Sequence, residues 1–291
     1  MFGLTSARLF LVALTALLLV SLVVFLPASS AGVAVHASNE VAPGARALPA
    51  TLPAVSLSTV GFLPHLQRAY NSTAACQAAG ETYNTLSVNP PSTDRAAEQH
   101  ADLNLALRGY QGVTADKSLV VYGGSSDPKN PPQLPGLFAD NRTATVGSLS
   151  QIYDWNWTSN SRGSLLNVWE ATLAGLNVTP GETIYVPASG YDVGSGYQAL
   201  VLYASDQRIT LKYSNADNVV SGYTIHIENI CVDPGLLSLY VASDAAGRSE
   251  LPALNSGQGL GRALSSQIGV ATRSDGAFLD PRSKNDWWRG R

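Results

Sequence analysis

Residues 197–214 read YQALVLYASDQRITLKYS, and this stretch decides the fold class. Two short runs rich in apolar, aromatic and β-branched residues flank the dipeptide at 206–207, which is short enough for a hairpin connection. In the second run Arg208, Thr210 and Lys212 alternate with apolar residues, which is the period of a strand with two unlike faces. We therefore expect a β-hairpin here.

Similar short runs recur along the chain, most of them bounded by Gly, Pro, Asn or Asp. Alternation of Leu103, Leu105 and Leu107 with polar or small residues indicates an early strand that ends at Gly109. Further strand candidates are residues 150–157, 166–173, 182–187, 222–230 and 267–273. Many short strands with regular turn signals predict an all-β domain over residues 101–291, a small barrel or sandwich with one or two short helices.

One helix is predicted with clear boundaries. Asp233 is a favourable N-cap, Pro234 suits the first helical position, and Gly247 marks the end. The apolar face predicted for this helix is formed by Leu236, Leu237, Tyr240 and Val241. Residues 63–100 are expected to be a short helical or irregular segment, because Leu66, Ala69, Tyr70 and Ala74 have helical spacing.

The N-terminus has the order of an export signal. A short start with one positive charge precedes an uncharged apolar run at residues 9–26, and a small-residue stretch ends at Ala37. Residues 1–37 are therefore predicted to be a signal peptide cleaved after Ala37, or an uncleaved membrane anchor spanning through residues 9–26. Both alternatives predict an extracytoplasmic protein, secreted or anchored, with residues 38–62 as an Ala/Pro-rich spacer.

Composition limits the classes of function. A net charge of −3 provides no basic field, which argues against nucleic acid as a partner. The two cysteines, Cys76 and Cys231, could form one disulfide in an oxidising compartment or remain as two buried thiols. They are too far apart in sequence for a C-x-x-C motif, so a zinc knuckle or a redox motif of that kind is not expected.

Four segments in residues 178–283 carry a family resemblance. They read PGETIYVPASGYDV at 180–193, GYTIH at 222–226, LNSGQGLG at 254–261 and QIGVATRSDGAFLDP at 267–281. In order and spacing this stretch resembles the lysostaphin-type (M23) metallopeptidase domain, a small β barrel that cuts peptidoglycan cross-links. The resemblance implies an M23-like core at residues 178–283 and a cell-wall setting.

The metal ligands of that family are missing from the matching positions. The stretch at 167–178, where an early His and Asp belong, contains neither, and the position of the family's H-x-H motif reads Gln267-Ile268-Gly269. His226 is the one histidine in the resembling region, and a catalytic zinc site needs about three protein ligands. We expect no metal, no cofactor and a non-catalytic scaffold.

Two strands carry the weak candidates for chemistry. Thr224, His226 and Glu228 should share one strand face, so His226 with Glu228 could form an oriented base, or a polar face of purely structural importance. Arg208 and Lys212 on the preceding strand could pair with acidic groups as surface decoration, or form a patch for an anionic ligand.

Aromatic residues supply the other candidates. Tyr153, Trp155 and Trp157 alternate along a strand, where they would form core or, if exposed, a stacking platform for sugars. The tail at 280–288 combines charges with two tryptophans, so we expect Arg282 to pair with Asp280 or Asp286 and one tryptophan to be buried.

The leading prediction is an exported, envelope-associated β protein that binds or organises a cell-wall polymer such as peptidoglycan. One alternative is a carbohydrate-active hydrolase or sugar-binding module that uses groove carboxylates and aromatics. The hydrolase candidates are Glu170, Glu182, Asp192, Asp206 and Asp217. The other alternative is a passive surface or stalk component.

Overall fold

A computed structural model of the chain describes residues 78–89, 95–123 and 127–291. These residues belong to one compact unit, Leu63–Arg291. The predictions for residues 1–37, for the spacer at 38–62 and for the helical spacing at 66–74 lie outside the described residues. Within the described ranges no helix has both the length and the apolar character needed to cross a membrane.

In the described part, fourteen strands account for most of the regular structure. The strands are β1 (Asn84–Ser87), β2 (Tyr110–Gly112), β3 (Val146–Asn156), β4 (Ser161–Leu165), β5 (Leu173–Asn177), β6 (Thr183–Tyr185), β7 (Ala199–Ser205), β8 (Arg208–Lys212), β9 (Tyr223–Glu228), β10 (Ile230–Val232), β11 (Glu250–Leu254), β12 (Gly259–Ala263), β13 (Gln267–Ser274) and β14 (Ala277–Leu279). The helices are α1 (Leu105–Arg108), α2 (Pro234–Ala245) and α3 (Lys284–Trp287), with 3-10 turns at Ala97–Gln99 and Leu134–Leu137. The all-β class is confirmed.

The strands form two antiparallel sheets. The larger sheet runs β1-β11-β7-β8-β9-β13-β5-β3-β2, with β14 added to β13 and β4 added to β3. The smaller sheet runs β10-β12-β6. Both sheets contribute to one hydrophobic core, for example through Ile184 and Leu260 of the smaller sheet and Ile225 and Val270 of the larger.

The hairpin predicted from residues 197–214 is confirmed as β7 and β8, which pair up to Ser205 opposite Arg208. Helix α2 is also confirmed. The Asp233 carboxylate accepts hydrogen bonds from the backbone N–H groups of Gly235 and Leu236, which satisfies donors that a helix start leaves unpaired. The predicted apolar face is wrong at Val241, which is exposed, whereas Leu236 and Tyr240 are buried.

Two predicted strands are wrong. Leu105 and Leu107 belong to helix α1, because the Asn104 side chain caps its start and Gly109 ends it at a positive φ of 66°, and Leu103 lies in the turn before it. The run predicted at 166–173 is a loop between β4 and β5 up to residue 172, and β5 begins at Leu173. Strands β11 and β12 were not predicted, since β11 contains Pro252 and β12 contains two glycines, residue types that are depleted in strands.

The larger sheet presents its two faces to different surroundings. On β9, Ile225 and Ile227 enter the main core, while Thr224, His226 and Glu228 point to the opposite face. A second, smaller hydrophobic cluster covers that opposite face and includes Leu105 of α1, Ala271 of β13 and Phe278 of β14. The strand face with the candidate His226 is therefore covered by other elements.

Candidate functional site: a buried polar cluster and an open aromatic hollow

The predicted polar face on β8 and β9 exists, and all its members except the half-buried Arg208 are buried. Thr210 lies opposite His226, and Arg208 lies opposite Glu228. The Arg208 guanidinium binds the Glu228 carboxylate at 3.0 Å, which is the cross-strand pair expected from the sequence. Burial raises the pKa of Glu228, and the charge of Arg208 opposes that rise. The interpretation of this face as solvent-exposed decoration is wrong for Lys212, His226 and Glu228, which are buried.

His226 is held as a structural residue. Its Nδ1 lies 3.0 Å from the Thr210 hydroxyl, and that hydroxyl donates its proton to the Leu103 carbonyl at 2.7 Å. Nδ1 is therefore the protonated nitrogen, and within the described structure Nε2 is buried without a hydrogen-bond partner. Burial, with the nearby charge of Arg273, lowers the pKa of His226 well below its ordinary value. A neutral, enclosed imidazole has no route to act as an acid or base on a substrate.

Sequence reasoning missed the ion network next to His226. Asp102 accepts hydrogen bonds from Arg108 at 2.7 Å and from Arg273 at 2.8 Å. Both guanidinium groups lie over the Phe278 ring, at 5.5 and 4.3 Å from its centroid. We call Asp102, Arg108, His226, Arg273 and Phe278 the sealed cluster.

Within the sealed cluster two guanidinium groups share one carboxylate, and Arg108 has a second, more distant partner in the exposed Asp154 at 3.5 Å. Burial disfavours ionised Asp102, but the two guanidinium groups outweigh that effect and keep its pKa below the ordinary value. Lys212 is fully buried beside the cluster, with only long contacts, 3.4 Å to the Gly222 carbonyl and 3.5 Å to the Thr224 hydroxyl. Burial and the charge of Arg273 lower the pKa of Lys212 to about 7. Lys212 is thus not placed to bind an anionic ligand from solution.

The aromatic row on β3 does not form a single platform. Trp155 is buried, Tyr153 is half-buried, and Trp157 is 41% exposed. The Tyr153 hydroxyl donates to the Gln111 side chain at 3.0 Å, and Trp157 packs edge-on against Trp155 with 6.5 Å between ring centroids. Of the three predicted rings, Trp157 is the most exposed.

An open hollow on another part of the surface brings together residues that no motif marked. Its cavity volume is about 440 Å³, and its lining is Val120, Tyr122, Asn167, Val168, Trp169 and Glu170. Tyr122 and Trp169 meet edge-to-face with 4.8 Å between their ring centroids. Val168 is 62% exposed, and the Glu170 side chain is also largely exposed. An aromatic pair, an amide, a carboxylate and two apolar side chains therefore face one solvent-filled space.

The C-terminal segment holds the rings of this hollow in place. The Trp169 indole N–H donates to the Phe278 carbonyl at 3.0 Å, and the Tyr122 hydroxyl donates to Asp280 at 2.7 Å. Burial, followed by this hydrogen bond to Asp280, raises the pKa of Tyr122 to about 12. Both rings are thus fixed in orientation before any ligand arrives.

The same segment holds the hollow's carboxylate. Nη2 of Arg282 binds Asp280 at 2.6 Å and Glu170 at 2.9 Å. The predicted Arg282–Asp280 pair is confirmed, and both Trp287 and Trp288 are fully buried, where one had been expected. Their indole N–H groups donate to the carbonyls of Asp280 and Pro281. The aromatic tail therefore anchors the charged turn under the hollow.

The hydrolase candidates are mostly engaged as ion-pair or turn residues. Glu182 pairs with Arg142, and Asp217 pairs with the buried Arg248. Asp192 accepts hydrogen bonds from the backbone of the turn that follows it. Asp206 is exposed at the β7–β8 turn, and Glu170 is the candidate that lines the hollow.

Cys231 is buried and disulfide-bonded. Cys76, the other cysteine of the chain, lies outside the described residues, so the pairing of the two stays a prediction.

No family model, no curated protein and no solved structure matches this chain. The lysostaphin-type resemblance therefore stays a prediction. At the position of its H-x-H motif, the Gln267 side chain accepts a hydrogen bond from Ser148 at 2.8 Å, and Gly269 lies opposite Glu228. In the described residues no three His, Cys, Asp or Glu side chains are grouped as metal ligands would be.

Proposed function

We propose that this protein is an exported, envelope-associated binding domain that holds a cell-wall polysaccharide in the hollow without cleaving it. The hollow is the observation that carries the proposal. Aromatic rings stack on the apolar faces of sugars, while amide and carboxylate groups bond the hydroxyls. Trp169, Tyr122, Asn167 and Glu170 supply these groups around one open space.

Preorganisation supports binding. Ordering of flexible side chains costs affinity, about 0.5–1.5 kcal/mol for each side chain that becomes fixed. Here Trp169, Tyr122 and Glu170 are already held by Phe278, Asp280 and Arg282 respectively. A sugar that enters the hollow therefore meets groups whose positions are set by the fold.

The arrangement of charges favours binding over hydrolysis. Glycoside hydrolases place the substrate between two carboxylates. Here Glu170 and Asp280 both bind the same nitrogen of Arg282, so a guanidinium group occupies the space between them. Asp280 is also fully buried, out of reach of a substrate in the hollow. The lysostaphin-type resemblance supports a cell-wall ligand, since that family acts on peptidoglycan.

The test is retention of the full chain, purified in mild detergent, on peptidoglycan sacculi, chitin and cellulose. We expect retention on at least one polymer and its loss in Trp169→Ala, since removing an aromatic anchor costs about 2 kcal/mol, roughly 30-fold in Kd. Trp157→Ala is the matched control, an exposed tryptophan outside the hollow, and should bind like the wild type.

Three results would contradict the proposal. Failure of every polymer to retain the wild type would indicate a passive surface component. Loss of binding in Trp157→Ala with normal binding in Trp169→Ala would show that the binding site lies at the β3–β4 hairpin. Release of sugar fragments by the wild type, abolished in Glu170→Gln, would identify a hydrolase.

A further inference from the structure

We infer that the hollow selects sugars that carry an N-acetylamino group, so that its ligand is a polymer of N-acetylated amino sugars. This inference rests on the proposed function and adds the class of sugar. Its starting point is the composition of the wall beside the aromatic pair, where Val120 and Val168 stand next to Asn167.

The valines are the first argument. The hydroxyl groups of a plain hexose gain nothing from an aliphatic wall, whereas the methyl of an acetyl group loses its contact with water there. Val168 is 62% exposed, which is high for a large apolar side chain, and it lies in the hollow's lining. Covering Val168 with a methyl group would remove apolar surface from water on both partners.

The amide is the second argument. An acetamido group has one N–H donor and one carbonyl acceptor. The Asn167 side chain offers both complementary groups, a carbonyl oxygen and an NH₂. A ligand hydroxyl would satisfy one of these groups at a time, while an acetamido group can satisfy both. Asn167 beside the valines is therefore a match for the whole substituent.

Charge is the third argument. Of the described residues that line the hollow, none is cationic, and Glu170 carries the one negative charge among them. A carboxylate or phosphate on the sugar would meet Glu170 without a lining cation to balance it. An ammonium group on a deacetylated sugar would compete with Arg282, which already binds Glu170 at 2.9 Å. The lining thus favours a neutral substituent over either charged one.

The experiment compares three trisaccharides on the full chain by titration calorimetry. They are chitotriose with three N-acetyl groups, cellotriose with hydroxyls in their place, and the fully deacetylated glucosamine trimer. We expect chitotriose to bind on the order of tenfold more tightly than the other two, the discrimination that one methyl-sized group in an apolar pocket provides.

Two valine variants localise the effect. Val168→Ser should lower the affinity for chitotriose to that for cellotriose and leave cellotriose binding unchanged. Val121→Ser is the matched control, because Val121 is 66% exposed and is not part of the lining. It should change neither affinity. Chitin and peptidoglycan sacculi, tested in parallel with Val168→Ser, show which N-acetylated polymer depends on the hollow.

Equal affinities for chitotriose and cellotriose would overturn the inference, and so would tighter binding of the deacetylated trimer. In both cases retention on a wall polymer would leave the proposed function standing. Absence of binding to every trisaccharide and every polymer would overturn both. An equal loss of chitotriose affinity in Val121→Ser and Val168→Ser would also contradict the assignment to the hollow.

Discussion

The sealed cluster and the hollow each contain an arginine–carboxylate network, and the two networks share their central group in opposite ways. In the sealed cluster two arginines share Asp102, whereas under the hollow two carboxylates share Arg282. In the first network the two guanidinium groups are buried, and the one exposed carboxylate near them, Asp154, lies 3.5 Å from Arg108. The second reaches solvent through Glu170, whose side chain is 64% exposed. Because the shared Asp102 is largely enclosed, the first network has a structural role, while the second keeps one carboxylate where a ligand can reach it.

Phe278 belongs to both networks. Its ring lies under Arg108 and Arg273, and its carbonyl accepts the indole N–H of Trp169. One residue of β14 therefore closes the sealed cluster and orients a ring of the hollow.

The largest expected effect comes from removing the tail that supports the hollow. Deletion of residues 284–291 removes Trp287 and Trp288, both fully buried, and each Trp truncation in a core costs roughly 3–5 kcal/mol. The two losses together amount to about 6–10 kcal/mol, so we expect the melting temperature to fall by more than about 10 °C, with export unaffected. Differential scanning calorimetry and cell fractionation measure the two quantities.

Deletion of residues 290–291 alone is the control for this truncation, since it keeps both tryptophans. A melting temperature that stays at the wild-type value after deletion of 284–291 would show that the tail does not support the fold.

The middle effect tests the excess positive charge beside the sealed cluster. Lys212 faces Arg273, the Thr224 hydroxyl and the Gly222 carbonyl. Burial and the charge of Arg273 lower its pKa, and the charge of Asp275 opposes that lowering. The pKa of Lys212 is therefore about 7 in the folded protein and 10.5 in the unfolded chain. Between these two values the unfolded chain binds the proton that the folded chain has released. Stability should therefore rise as pH increases from 7 toward 10.5, by up to about 5 kcal/mol from this group.

Urea titrations at several pH values measure the slope. In Lys212→Met this contribution to the slope should disappear, and the variant should be more stable than the wild type at pH 7, because the buried charge is gone. The same pH slope in both proteins would mean that Lys212 stays charged in the fold.

The smallest expected effect separates the two networks directly. Glu170→Gln should change the free energy of unfolding by about 0–1 kcal/mol, because exposed ion pairs contribute little. Asp102→Asn should cost about 3–5 kcal/mol, because it leaves the buried Arg273 without its counter-charge and removes the nearer of the two carboxylates beside Arg108. A loss in Glu170→Gln as large as that in Asp102→Asn would place Glu170 in the structural network and contradict its role at the hollow.

Local sequence patterns predicted much of the fold. The alternation at 208–212 and 223–228 correctly assigned which residues share a strand face, because side chains on a strand alternate whatever lies above them. The cap of α2 is equally local, since Asp233 bonds N–H groups two and three residues away. The Arg282–Asp280 pair lies within one turn, and it too was predicted correctly.

The failures share a physical cause. The sequence alone could not show whether the face with His226 meets water or protein, because that depends on where α1 and β14 pack. The alternating leucines at 103–107 gave the period of a strand, but the Asn104 cap and the stop at Gly109 favoured a helix.

By itself, then, the sequence determined the all-β class, the hairpin, the capped helix and the charged turn, since each depends on residues close together in the chain. The residues of the hollow, by contrast, are brought together only by the tertiary structure. Arg282 and Glu170 are 112 residues apart, and Tyr122 and Asp280 are 158 apart, so no spacing marks them as neighbours. They meet because the buried Trp287 and Trp288 hold the chain end against the turn at Asp280 and Arg282. The hydrophobic effect that buries these two rings does not depend on distance along the sequence.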